Sequence, residues 1–151
     1  MKVENLMSKE VMVVREDTPV DRMIKLFRKH EITGAPVIDE SQKLKGVVSL
    51  SDLFRAEKSR DSHEFYLNPS WSMVPHEDVE SDYSSTVKDI MTKLVIHVEA
   101  DDDIEKACDL MVDLGIHRLV VTRGEKVVGI ISSGDLVREF RDRLKAAKQL
   151  R

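Results

Sequence analysis

The chain has 151 residues, 41% of them hydrophobic and 34% charged, which fits one soluble domain or two small modules packed together. Its formal charge of −4 argues against a general nucleic-acid binder. No apolar run reaches the length of a membrane span, and residues 1–5 have no signal-peptide core. A single cysteine, Cys108, makes an intramolecular disulfide impossible and points to a reducing, cytoplasmic compartment.

The chain opens with Val3-Glu4-Asn5-Leu6-Met7-Ser8-Lys9, and a β-branched run at 11–14 predicts a first strand. Asp17-Thr18-Pro19 announces a helix, with Thr18 as N-cap and Pro19 at the first helical position. Val20, Met23, Ile24 and Phe27 give that helix one apolar stripe, and it should end near His30. Runs at 35–38 and 44–48 around a polar turn read as a β-hairpin, and a second helix opens at Ser51-Asp52-Leu53. Residues 55–67 prolong it until Asn68-Pro69-Ser70 breaks it. Trp71, Met73 and Val74 are expected to pack onto the domain, and the acidic stretch 77–82 to form a solvated loop.

The same order then returns. Val87-Lys88-Asp89-Ile90-Met91-Thr92-Lys93 repeats the opening, a strand run follows at 95–98, and the acidic triplet 101–103 suits the start of a helix. Ile104, Ala107, Cys108 and Met111 form its stripe, which stops before Gly115. A hairpin over 119–122 and 127–131 leads to a helix from Gly134-Asp135-Leu136, with Leu136, Val137, Phe140, Leu144 and Ala147 along one side. From 138 to 151 it carries six basic and two acidic residues. The fold class is α/β: two pseudo-symmetric β-α-β-β-α repeats at 3–56 and 86–140, a linker at 57–85 and a basic helical extension at 141–151. Neither repeat can bury much alone, so the two are expected to face each other about a pseudo-two-fold axis, sharing a core in one compact pair.

Gly46-Val47-Val48-Ser49-Leu50-Ser51-Asp52-Leu53 and Gly129-Ile130-Ile131-Ser132-Ser133-Gly134-Asp135-Leu136 fit one pattern, Gly-h-h-Ser-x-x-Asp-h with h apolar. With the openings Leu6-Met7-Ser8 and Ile90-Met91-Thr92, and the segments 32–37 and 116–121, they resemble the cystathionine β-synthase (CBS) domain, here as a stand-alone pair. The resemblance implies two clefts related by the pseudo-dyad, which take adenosine compounds such as AMP, ADP, ATP or S-adenosylmethionine and regulate another protein.

Ser49/Asp52 and Ser132/Asp135 have the spacing of a capping box, Ser as N-cap and Asp at N3, and the spacing alone favours that reading. Such a carboxylate can also accept hydrogen bonds from both ribose hydroxyls, beside backbone donors suited to an anion. The resemblance shifts the weight to ligand binding, and both roles can coexist. His117-Arg118 lies just before the second strand of repeat 2, where repeat 1 has Thr33-Gly34. Arginine grips phosphate bidentately, and the resemblance implies that the pair faces ligand phosphates; the alternative is a surface arginine beside a half-buried histidine. The repeat 1 cleft is then neutral or borrows Arg118. Met12 and Ile96, on the first strands, are candidates for packing against adenine, with plain core residues as the alternative. Thr18 and Asp102 rank lower, as helix caps.

Cys108 reads as an inert core residue. The five histidines lack metal-ligand spacing, His63-Glu64 is not followed by a second histidine, and no nucleophile arrangement or phosphate-cradling glycine loop occurs. No catalytic residue, metal site or required cofactor is therefore expected. The expected function is a regulatory module that senses an adenosine nucleotide and signals to an unidentified target protein. The alternative is a structural dimerisation module with degenerate, non-binding clefts. Apolar surface around Phe27, Leu53 and Phe140 argues for a homodimer; neither nucleic acid nor a membrane is an expected partner.

Overall fold

A computed structural model describes residues 1–58 and 85–149. The chain begins with a single 3-10 turn, Val3–Asn5. It continues through β1 (Val14–Arg15), α1 (Val20–Lys29), β2 (Gly34–Ile38), β3 (Leu44–Ser49) and α2 (Leu50–Lys58). The one-turn helix α3 (Val87–Ile90) then precedes β4 (His97–Glu99), α4 (Ile104–Leu114), β5 (Arg118–Arg123), β6 (Lys126–Ser132) and α5 (Ser133–Gln149). The expected packing of Trp71, Met73 and Val74, the break at Asn68-Pro69-Ser70 and the acidic loop at 77–82 lie outside the described residues, as does most of the 57–85 linker.

Each repeat forms a three-stranded sheet, β1-β2-β3 or β4-β5-β6. The first two strands are parallel and linked through α1 or α4; the last two form an antiparallel hairpin. The hairpins share even their irregularity, a register shift at Val37/Ile38 and at Val121/Thr122. α1 buries Val20, Met23 and Phe27, and α4 buries Ala107 and Met111, as the stripes require. α4 ends where Gly115 turns left-handed at φ 62 and its N–H bonds the Met111 carbonyl.

Three expectations need correction. The sheets do not share one core. One buried cluster comprises Val14, Val20, Met23, Phe27, Ala35, Val37 and Val48 with Val87, and the other Val98, Ala100, Ala107, Met111, Leu119, Val121 and Ile131 with Val3. Each repeat's entry turn thus plugs the other repeat's core. The Val3 and Glu4 N–H groups bond the Asp102 and Ala100 carbonyls at 3.0 and 2.9 Å; the Val87 and Lys88 N–H groups bond those of Thr18 and Glu16, both at 2.9 Å. Ser8 then pairs with Ile130 of β6, and Thr92 with Val47 of β3.

Those pairings explain the second correction, that the first strands are shorter than their β-branched runs. After Ser8 or Thr92 the chain must cross from one sheet to the other, so 11–13 and 95–96 bridge the gap unpaired until Val14 meets Val37 and His97 meets Val120. Met12 and Ile96 therefore lie in crossing segments instead of on strands. Third, Pro19 and not Thr18 holds the N-cap place of α1, which has no side-chain cap bond, and Thr18 lies one residue further out. Its carbonyl is tied to the Val87 N–H.

Glycine is required where the entry segments lie on the sheets. A Cβ at Gly129 would fall 2.5 Å from the Met7 sulfur and 2.8 Å from the Ser8 carbonyl oxygen. At Gly46 it would fall 2.7 Å from the Thr92 carbonyl oxygen and 2.8 Å from the Met91 sulfur. Gly46→Ala and Gly129→Ala should each destabilise the fold by ~1–3 kcal/mol through overpacking, read as a lower urea midpoint; an unchanged midpoint would contradict this packing.

Candidate functional site

Ser49 and Ser132 end β3 and β6, and the helices begin at the next residue. The hairpin register places Gly34 opposite Ser49 and Arg118 opposite Ser132. The Thr33 carbonyl accepts the Leu50 N–H, and the His117 carbonyl accepts the Ser133 N–H, both at 2.9 Å. Two clusters of candidate residues form in this way at helix starts: Thr33, Gly34, Ser49 and Asp52 on α2, and His117, Arg118, Ser132 and Asp135 on α5. His117, Arg118 and Thr33 are exposed, and Gly34 is half-buried. The structure thus gives no half-buried histidine beside Arg118. Met12 is half-buried and Ile96 exposed; neither takes part in the registers and backbone bonds that assemble the clusters.

In both clusters the serine and aspartate form the helix cap. Asp52 Oδ2 accepts the Ser49 N–H at 2.7 Å and the Ser49 hydroxyl at 3.3 Å. Asp135 Oδ2 accepts the Ser132 N–H and hydroxyl, each at 2.7 Å, and Ser132 Oγ accepts the Asp135 N–H at 3.3 Å. At Ser132–Asp135 this is the reciprocal arrangement of a capping box; at Ser49–Asp52 the bonds run only from the serine to the carboxylate. The remaining carboxylate oxygen is also engaged: Asp52 Oδ1 pairs with Arg55 and Asp135 Oδ1 with Arg138. These arginines are the residues that the motif reading missed, although their i, i+3 spacing on a helix is a readable pairing signal. Asp52 is only 4% exposed. Partial burial pushes the Asp135 carboxyl up, but the Ser132 hydroxyl and N–H and the Arg138 guanidinium outweigh it and hold its pKa below the ordinary carboxylate value.

The other candidates are local. Asp102 accepts the Glu99 N–H and pairs with Lys106, both on its own side of the repeat. Cys108 is half-buried, and burial together with Asp109 and Glu105 raises its thiol pKa, which disfavours the reactive thiolate. A depression of about 390 Å³ lies at the far end of the first sheet, lined by Arg15, Glu16, Asp17, Ile38, Asp39, Glu40 and Ser41. Arg15 bridges Asp17 and Glu40 there, and none of the cluster residues reaches it. Among the described residues no group of three His, Cys, Asp or Glu side chains could hold a metal ion, and no helix is long and apolar enough to cross a membrane.

Two laced repeats with capped Ser-x-x-Asp helix starts define a tandem module with a pseudo-symmetric pair of helix-start clusters. The CBS domain model matches residues 3–59 and 87–142, and the chain belongs to the CBS-domain family. It is 32% identical over 151 residues to protein MJ1426 of Methanocaldococcus jannaschii, spanning 91% of this chain and 89% of that protein. It is 33% identical over 135 residues to the chloroplastic CBS domain-containing protein CBSX1 of Arabidopsis thaliana, covering 83% of this chain and 57% of that one. Among solved structures, CBSX2 in complex with AMP superimposes with a TM-score of 0.70 at 27% identity, over 93% of this chain and 96% of that one. The AcuB protein of Vibrio cholerae superimposes at 0.74, with 21% identity and 99% and 96% coverage, which speaks to the fold alone.

The depressed Asp135 pKa fixes a pH dependence. A carboxyl of this kind contributes stability above its unfolded pKa, and loses it as pH falls through the folded value. Asp135→Asn should cost about 1 kcal/mol at pH 7, the worth of a helix cap. The difference from wild type should shrink as pH falls below the ordinary aspartate range and through the lower folded value, where the carboxylate protonates. Urea unfolding at a series of pH values measures this, and a pH-independent difference would refute it.

Proposed function

We propose that the chain is a regulatory module, without catalysis of its own, that binds an adenosine nucleotide at its two helix-start clusters and passes its state to a target protein. The observation that carries this reading is the hairpin register setting Arg118 opposite Ser132, with His117 beside them and Asp135 three residues on. An exposed guanidinium, a carboxylate and the N-terminus of a long helix stand together there, as a phosphorylated ribose requires. The match to CBSX2, which was solved with AMP, supports the same ligand class. Asp135 and Ser132 take the ribose, and Arg118 and His117 the phosphates. Asp52 and Ser49 take the ribose of a second ligand, beside the uncharged Thr33-Gly34. The Met12 and Ile96 crossing segments supply apolar contacts to adenine. The module works as a homodimer, since Val137 and Phe140 on α5 are 65% and 63% exposed, and Phe54 on α2 is half exposed. Phe27, by contrast, is in the core and contributes nothing to such a surface.

One observation favours a second reading, a dimerisation module with non-binding clefts. Both oxygens of Asp52 and of Asp135 are already engaged by a cap and an arginine, so a ribose must compete for them. Thermal shift with AMP, ATP, adenosine and S-adenosylmethionine separates the two, because only a binding cleft is stabilised in proportion to ln(1 + [L]/Kd).

Asp135→Ala should weaken AMP binding by ~1.5–3 kcal/mol, the range for hydrogen bonds to a charged group. If Asp135→Asn and Asp52→Asn both bind every nucleotide as wild type does, the ribose assignment is wrong. Arg118→Ala should abolish most of the preference for AMP over adenosine while leaving adenosine binding nearly unchanged, and salt should narrow that preference in wild type. Two equal sites by calorimetry, both indifferent to Arg118→Ala, would overturn the phosphate assignment.

A further inference from the structure

α1 and α4 hold equivalent places in the two repeats, yet their exposed sides carry opposite charge. Between Val20 and Lys29, α1 has Arg22, Lys25, Arg28 and Lys29 against Asp21. Between Ile104 and Leu114, α4 has Glu105, Asp109 and Asp113 against Lys106. Lys106 is held by Asp102 at 2.7 Å, so the acidic ridge Glu105-Asp109-Asp113, at i, i+4 and i+8, is the charge that α4 presents. At the matching positions repeat 1 has Asp21, Lys25 and Lys29. α4 packs against α5, and both carry exposed apolar side chains: Val112 at 79% on α4, and Val137, Phe140 and Leu144 on α5.

We infer that two copies of this chain associate through these helices with unlike repeats facing, the basic α1 of each protomer against the acidic α4 of the other. The inference rests on the homodimer reading and deepens it; it does not depend on any ligand. A two-fold dimer through equivalent helical faces has two arrangements. Like on like sets α1 against α1, basic on basic, and α4 against α4, acidic on acidic. Unlike on unlike makes the α1–α4 contact twice, since in a two-fold interface residue i meets j and j meets i. Charge complementarity selects between registers of otherwise similar apolar contact, and like-charge juxtaposition excludes the wrong one.

The test is charge reversal with sedimentation equilibrium on the full chain, each variant's fold being checked by circular dichroism. All four residues are exposed, so the substitutions leave the cores intact. Lys25→Glu/Lys29→Glu and Asp109→Lys/Asp113→Lys should each raise the dimer dissociation constant by about tenfold or more at low salt, less at high salt. The variant carrying all four changes should return to the wild-type constant, because the unlike contacts are complementary again. In the like-on-like arrangement either reversal only exchanges one like-charge contact for another, and the constant stays put. An unchanged constant in the single-helix variants, or a failure of the fourfold variant to recover, overturns the proposed orientation while leaving the dimer standing. A monomeric wild type overturns the dimer and the orientation together, and leaves the nucleotide reading to its own titrations.

Discussion

The structure depends on the exchange of entry segments between the two repeats. Val3 and Val87 are each fully buried in the other repeat's core, held by backbone hydrogen bonds to the turn before α4 or α1. The bonds leave no strand edge uncovered where the segments lie, since Ser8 and Thr92 take up donors and acceptors of β6 and β3. A three-stranded sheet with one helix stripe is too small to hide its own apolar side. Here each sheet is completed by a valine and a methionine from the opposite half. The glycines at the middle of β3 and β6 follow from this, because only an absent side chain lets a second backbone lie so close.

The same exchange explains what the sequence displays and what it hides. Internal repetition makes the element order legible: two hairpins, two striped helices and two helix starts at the Ser-x-x-Asp segments all stand where pattern and turn chemistry place them. Gly115 marks the end of α4 because a left-handed position there favours glycine. The strand boundaries are hidden. Val11, Met12 and Val13 have the β-branched, apolar character of a strand, but a strand is defined by its partner, and these residues are in transit between two partners. Nothing local distinguishes a paired residue from one that is crossing. The same holds for Thr18, a good cap by chemistry whose backbone is committed to the other repeat.

At the clusters, spacing told more about mechanics than about ligand. Ser49-Asp52 and Ser132-Asp135 are caps in the structure, as the spacing suggests, and the partners that complete them, Arg55 and Arg138, stand one helical turn on. In the proposed function cap and ligand contact would draw on one carboxylate, so the residues that begin α2 and α5 are the ones a bound ribose would perturb. Which residues oppose them in the hairpin, Gly34 in one case and Arg118 in the other, is a matter of register. Register follows from the turn and the bulge together, and the bulges at Val37/Ile38 and Val121/Thr122 carry no sequence mark of their own.

A half-molecule of this design is unfinished: its sheet lacks a plug, and its plug lacks a sheet. Standing alone it would be completed only by an identical twin, and every difference would then appear on both sides at once. Joining the halves in one chain removes that restriction. His117-Arg118 can face a helix start in one half while Thr33-Gly34 faces the other, and Lys25 can stand where its counterpart is Asp109. The lacing keeps the halves together and so gives the molecule a direction, a distinguishable front and back, that an identical pair of halves cannot have.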